Sequence, residues 1–328
     1  PVRIGIIGTG DEGNVLIGGC TPEYVEVKAI ADIRPSSIHR AFHGDWASDA
    51  SLAARPGLMK QYGFSSAAEA RKHVKVYDQS NGGMEALLDD PDIEAVIIAL
   101  PLFLHAPIAI QAMARGKHVL TEKLMAHNVG QCKAMARFAK ETGLHLATGH
   151  QRHYSVLYDN AVHLIRYGIL GQLHHIRAQW HRGNLPGNDS WSMPLPGGEV
   201  AMLNGKEIKV NKITDQLKSF RGQLDSATDP IEIEQLKNKV AQWEQWDRDR
   251  EIDAKTHGYE DKKLANRLRT AMEELCRWRL WERTGGGLMA ELGSHQLDAS
   301  SIFCSALRRD GTKAHPLSVH AVGGRHIF

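Results

Sequence analysis

The sequence predicts an α/β fold whose first part, residues 1–150, is a doubly wound parallel sheet. Three observations carry this prediction. Short apolar runs suited to buried strands alternate with helical patterns throughout the region. The first run, Val2–Ile7, leads directly into Gly8-x-Gly10-x-x-Gly13. The second, Val25–Ala31, ends at Asp32, roughly 20 residues beyond the glycines. In such a turn Gly8 permits the tight bend, and Gly10, beside Thr9, lets backbone approach a pyrophosphate. Gly13 lets the following helix pack on the strand. That helix offers free N–H groups to phosphate, and Asp32 lies where ribose hydroxyls would sit. The pattern points to NAD, while Arg34 leaves NADP open. Asp11 and Glu12 lie inside the turn, so both carboxylates are expected to face solvent.

The remaining elements follow in order. Residues 36–62 are helix-like around Gly44 and Pro56, an elaborated connection. Strands are expected at 73–77, 94–100, 117–121 and 144–148, with helices at 84–88, 105–115 and 129–142. Gly116 and Gly143 stand where helix-ending glycines belong. Asp32, Pro101, Glu122 and His150 then fall just past strand C-termini, where ligands bind in such sheets. From Gln151 the pattern changes, marking a second domain over 151–328. It has a helix at 158–167, an alternating strand at 173–181, and a Pro/Gly/Asn loop at 183–198. A charged, helix-prone insertion covers about 200–283. It reads as helices packed on their own domain, with a cap or interaction arm as the alternative. Residues 315–322 read as a further strand.

Size and composition narrow the function. The chain has 328 residues, enough for two cores, and a net charge of +2. Nothing resembles a nucleic-acid surface or a membrane span. The 18 histidines are scattered without metal-ligand spacing, so no metal is expected. Cys20, Cys132, Cys276 and Cys304 read as isolated thiols of a reducing compartment. A cytoplasmic location follows, with export after loss of a leader as the alternative, because the chain opens at Pro1.

Two stretches carry chemistry. In Glu122-Lys123-Leu124 a lysine just past a strand end can hydrogen-bond a substrate hydroxyl in the cleft; a surface Lys paired with Glu122 is the plainer alternative. In Gly285-Gly286-Gly287…His295-x-x-Asp298, Glu291 and His295 are spaced i,i+4 on a helical pattern. That spacing would raise the basicity of His295, poise it near neutral pH as a proton acceptor, and let Asp298 brace it. Arg152, Tyr154, His181, Asn184 and Trp191 are candidates for a substrate wall.

Five pieces occur in order: Gly8 to Gly13, Pro101 to His105, Glu122-Lys123, Gly149-His150-Gln151-Arg152, and the glycine-led run to Asp298. Over residues 2 to about 200 and 284–328 the chain resembles the glucose–fructose oxidoreductase/inositol dehydrogenase/MocA family. The resemblance implies a Rossmann domain, then an α/β domain with an open, mainly antiparallel sheet used for homo-oligomer contacts. It implies NAD(P) and a sugar, cyclitol or related polyol as substrate. It makes Lys123 the catalytic lysine and His295 the base, and places Pro101 and His105 at the cofactor. Glu291 stands for the family's Asp, Leu102 for its Asn, and Leu124 for the proline of Glu-Lys-Pro. A cis bond before Leu costs about 2.5–4 kcal/mol, so a trans loop is expected. Family members carry further sheet strands, so the sheet is expected to be abbreviated or to continue beyond Phe328.

The reading is an NAD(P)-dependent oxidoreductase acting on a secondary hydroxyl of a sugar, glycoside or cyclitol. The alternatives are an NAD-retaining glycosidase using transient oxidation, and a non-catalytic NAD-binding scaffold.

Overall fold

The computed structural model describes residues 1–181, 191–264, 267–308 and 310–323. Six parallel strands form the first half: β1 (Val2–Ile7), β2 (Val25–Ala31), β3 (Lys75–Tyr77), β4 (Ala95–Ile98), β5 (His118–Thr121) and β6 (Leu146–Thr148). Their order is β3-β2-β1-β4-β5-β6, a doubly wound sheet whose order reverses beside β1. Alternation along each strand sends neighbours to opposite faces. Ile7, Val96 and Ile98 enter one buried cluster, while Ile4, Ile6 and Ile97 enter or pack against the other. Helices cover both faces, as the near-continuous apolar strands require. Helix α1 (Asp11–Gly19) follows β1 and helix α2 (Pro35–His43) follows β2. Gly143 ends the Val129–Thr142 helix in the left-handed conformation, as its position predicted.

The second half departs from expectation. Residues 173–181 form no strand and are mostly exposed, and residues 315–322 form none either. Alternation alone does not make a strand; neighbouring strands must accept its ladder bonds. Among the described residues the antiparallel structure is two two-stranded ribbons, Glu199–Leu203 with Lys206–Val210 and Lys262–Leu264 with Arg267–Arg269. Among the described residues the expected antiparallel sheet is thus small, limited to these two ribbons. Helix Val156–Arg166 instead packs on helix Ser294–Ala306, with Tyr158 stacked on Phe303 at 5.5 Å.

The insertion's helices pack on the first half, although Arg277 and Arg279 also reach Met193 and Glu291 of its own domain. Asn211 and Asp229 cap helices Lys212–Ser226 and Pro230–Arg248, which join through Phe220 against Trp243 and Arg221 against Glu244. The second helix lies on α2. Gln242 accepts the Trp46 N–H at 2.8 Å and donates to Asp45 at 2.9 Å. Beyond it, Ile252, Ala254, Tyr259, Ala271 and Leu275 form a third buried cluster against Ile33 and Phe103. Those two partners follow β2 and β4, so the insertion roofs the C-terminal edge of the sheet. The patterning of its helices marked their apolar faces but not the surface they meet.

Candidate active site

Side chains from both halves enclose one cavity of about 740 Å³ at the C-terminal strand ends. Gly8 and Gly10 enter it after β1, Asp32 and Arg34 after β2, Pro101 after β4, and Glu122 and Lys123 after β5. Gly8 has φ +87°, and a Cβ there would lie 2.5 Å from the Ala99 carbonyl oxygen. A Cβ on Gly13 would lie 2.0 Å from the Gly8 oxygen, whereas Gly10 opens onto free space. The turn is thus closed to side chains where it folds and open where backbone faces the cavity. These residues fit a dinucleotide pyrophosphate. Thr9 and Gly13 are buried and shape the turn from behind.

Asp32 accepts the Thr9 N–H at 2.7 Å and the Arg34 N–H at 2.8 Å. Burial nonetheless pushes its carboxyl above the ordinary range. Asp11 was expected to face solvent with Glu12. Glu12 is exposed, but Asp11 pairs with Arg40 at 2.8 Å. Burial raises the Asp11 pKa, but the Arg40 and Arg55 guanidiniums outweigh it, so the carboxyl titrates well below its usual range. The turn's acid is therefore neutralised sideways by two arginines.

At the other functional stretch, Lys123 donates to the Glu291 carbonyl at 2.6 Å and to its carboxylate at 3.2 Å. Arg279 faces the same carboxylate at 3.4 Å. Glu291 is thus engaged by cations and not by His295. Glu291 lies in a π-helical turn, Met289–Gly293, so the α-helical spacing assumed for it does not apply there. Asp298 likewise binds His153, at 2.8 Å, rather than His295. His295 is buried, lies 5.1 Å from Trp180 centroid to centroid, and lines the cavity. Burial and the charges of Lys123, Arg152 and His150 lower its pKa to about 4, opposite to the near-neutral value expected from a carboxylate partner.

The plainer alternative of a surface Lys123 paired with Glu122 also fails. Burial, with the Glu12 charge, pushes the Glu122 carboxyl up to about 7. The Lys123–Leu124 peptide is cis, where a trans bond was expected; the Leu124 carbonyl meets the His105 Nδ1 at 2.7 Å. The other ring nitrogen of His105 meets the Leu100 carbonyl at 2.8 Å. His105 is 1% exposed and does not line the cavity, so it ties two loops together behind the cleft.

Of the substrate-wall candidates, Trp191 lines the cavity. Arg152 lies over Tyr158 and Trp180, Tyr154 is exposed, and His181 is exposed, all outside the lining. Asn184 lies outside the described residues. Trp180, Trp246, His257 and Tyr259 line it without having been singled out. The last three come from the insertion, more than 200 residues from the glycine turn, where no local pattern announces a cleft. No cluster of metal-ligating side chains occurs among the described residues, and no helix there is long and apolar enough to cross a membrane.

Comparison with known proteins follows the same division. Residues 2–150 match the GFO_IDH_MocA profile, described as an oxidoreductase family with an NAD-binding Rossmann fold. The glycosyl hydrolase family 109 protein 1 of Shewanella sp. (strain ANA-3) is 29% identical over 180 residues, 55% of this chain and 35% of that protein. An uncharacterized oxidoreductase of Synechocystis is 33% identical over 128 residues, 38% of this chain and 34% of that protein. The chain thus spans about a third of the length of the curated relatives it matches. Among solved structures, KijD10, a 3-ketoreductase from Actinomadura kijaniata in complex with NADP and TDP-benzene, has a TM-score of 0.39 at 24% identity. That likeness covers 52% of this chain and 43% of KijD10. The apo scyllo-inositol dehydrogenase of Lactobacillus casei has a TM-score of 0.40 at 20% identity, with the same coverage. Residues 2–150 thus match the NAD-binding Rossmann domain described for the Gfo/Idh/MocA oxidoreductase family.

Proposed function

We propose that the protein is an oxidoreductase moving hydride between NAD(H) and a secondary hydroxyl of a sugar, glycoside or cyclitol. One observation carries the reading: Lys123 and His295 line the same cavity as Gly8, Gly10 and Asp32. Bound nicotinamide would supply the hydride acceptor. Two of the three Lys123 N–H groups are spent on Glu291, which aims the ammonium and leaves one for the reacting oxygen. His295, neutral above about pH 4, accepts the hydroxyl proton as the carbon loses hydride. Trp180 and Trp191 offer flat apolar faces with polar edges, which suit sugar rings.

Screening polyols for NAD reduction by absorbance tests this. Lys123→Ala and His295→Ala are each expected to lower kcat about 10²–10⁴-fold while nucleotide binding persists. Unchanged rates in both variants sink the assignment.

A second reading is cleavage of a glycosidic bond with NAD retained throughout. The relatives named as glycosyl hydrolase family 109 and the roof over the cleft favour it. Aglycone release from aryl glycosides, with no net NAD turnover, selects it over the first.

A further inference from the structure

We infer that Asp249, carried by the insertion, makes the protein select NAD(H) over NADP(H) by filling the place a 2′-phosphate would occupy. The inference rests on the NAD(P)-binding character of the domain and not on any substrate.

The first turn of α2 follows β2 and Asp32, where a dinucleotide's adenosine ribose lies in this fold. By composition it is an anion site. The Ser36 N–H, the Ser36 hydroxyl and the Arg34 guanidinium converge on one point. An arginine and serines at a helix N-terminus are what a ribose 2′-phosphate needs. Here the anion is internal. One Asp249 oxygen accepts the Ser36 N–H at 3.0 Å. The other accepts the Ser36 hydroxyl at 2.6 Å and two Arg34 nitrogens, each at 2.9 Å. Asp249 is fully buried.

Arg34 by itself left NADP open. In the folded chain its guanidinium is already bound, and Asp32 holds the Arg34 N–H from the other side at 2.8 Å. A doubly charged phosphate would meet two carboxylates, or displace Asp249 and leave a buried carboxylate without partners. A bare 2′-hydroxyl meets neither penalty and can donate to Asp32. The Ser37 hydroxyl lines the same cavity, is 1% exposed, and has no hydrogen-bond partner. It is an unused polar group at this end of the cleft, next to a site filled from within.

The test is calorimetric titration of the whole chain with 5′-AMP and adenosine 2′,5′-bisphosphate, which differ only in the 2′-phosphate, alongside NAD⁺ and NADP⁺. The wild type is expected to bind the unphosphorylated member of each pair at least 100-fold tighter. Asp249→Ser is expected to narrow that gap at least tenfold, through tighter binding of the 2′-phosphorylated ligands. Equal affinities in the wild type overturn the inference. So does an unchanged gap in a folded Asp249→Ser. Asp249→Asn, which keeps the size and removes the charge, serves where Asp249→Ser fails to fold, and is expected to narrow the gap in the same direction; an unchanged gap overturns. Binding reads only the adenosine half. Preserved discrimination without polyol oxidation therefore sinks the dehydrogenase reading alone, whereas failure to bind either member of both pairs sinks both.

Discussion

The two halves of the chain bury apolar surface very differently. In the first, every strand of the six has a paired neighbour, and two clusters fill both faces of the sheet. In the second, Tyr154, Val156, Leu157, Tyr167, Ile169 and Leu170 are exposed by 65–79%, along one helix and its approaches. The insertion breaks this division: its buried residues belong to the first half's surface, through Ile33, Phe103, Trp46 and Ser36. The lesson is that sequence order and structural allegiance differ. Residues 230–276 pack on the nucleotide-binding half, although more than 130 residues of other structure separate them from the strands they roof.

Substitutions sharpen that contrast. The largest effect is expected from Gly13→Val, whose Cβ collides with the Gly8 oxygen at the centre of the first half. It should cost about 3 kcal/mol or more and abolish nucleotide binding, read by urea unfolding and titration. Wild-type stability would show that the turn is looser than its geometry implies. Tyr259→Ala, in the roof, should cost about 3 kcal/mol. It should also raise hydrogen exchange in 249–283 while the strands stay protected; loss of protection in the sheet would instead make roof and sheet one cooperative unit.

Glu122 supplies a pH test. Its folded pKa of about 7 stands above the ordinary 4.5. Between these values the folded state holds a proton that the unfolded state releases. Its contribution is therefore full below about pH 4.5 and is lost as pH rises to about 7. Wild-type stability relative to Glu122→Gln should fall across that window by up to about 3 kcal/mol; parallel profiles would refute the shift. The smallest effect is expected in the second half, where Leu157→Ser should change stability by no more than about 0.5 kcal/mol. A large loss there would mean that the exposed helix face is covered in solution.

Much of the first half was legible because its signals are local. Continuous apolar runs mark β1 and β4, Gly143 closes the helix after Val129, and Gly8 to Gly13 spell out the turn, since each depends on neighbours a few residues away. The candidate site was legible in parts. Lys123 and His295 both line the cavity, but the partners expected for them lie elsewhere. Glu291 lies in a π-helical turn and its carboxylate is taken by Lys123, a pairing that the i,i+4 spacing does not foretell.

The sequence by itself determined the sheet, its glycine turn and the identities of the groups at the strand ends. Only the tertiary structure decided which groups meet: Lys123 with Glu291 across 168 residues, Gln242 with Asp45 across 197, and Asp249 with Ser36 across 213. Such pairs leave no periodic trace, because a hydrogen bond between distant segments constrains two positions and nothing between them. The geometry of the folded chain chose them by burying polar groups that then required partners.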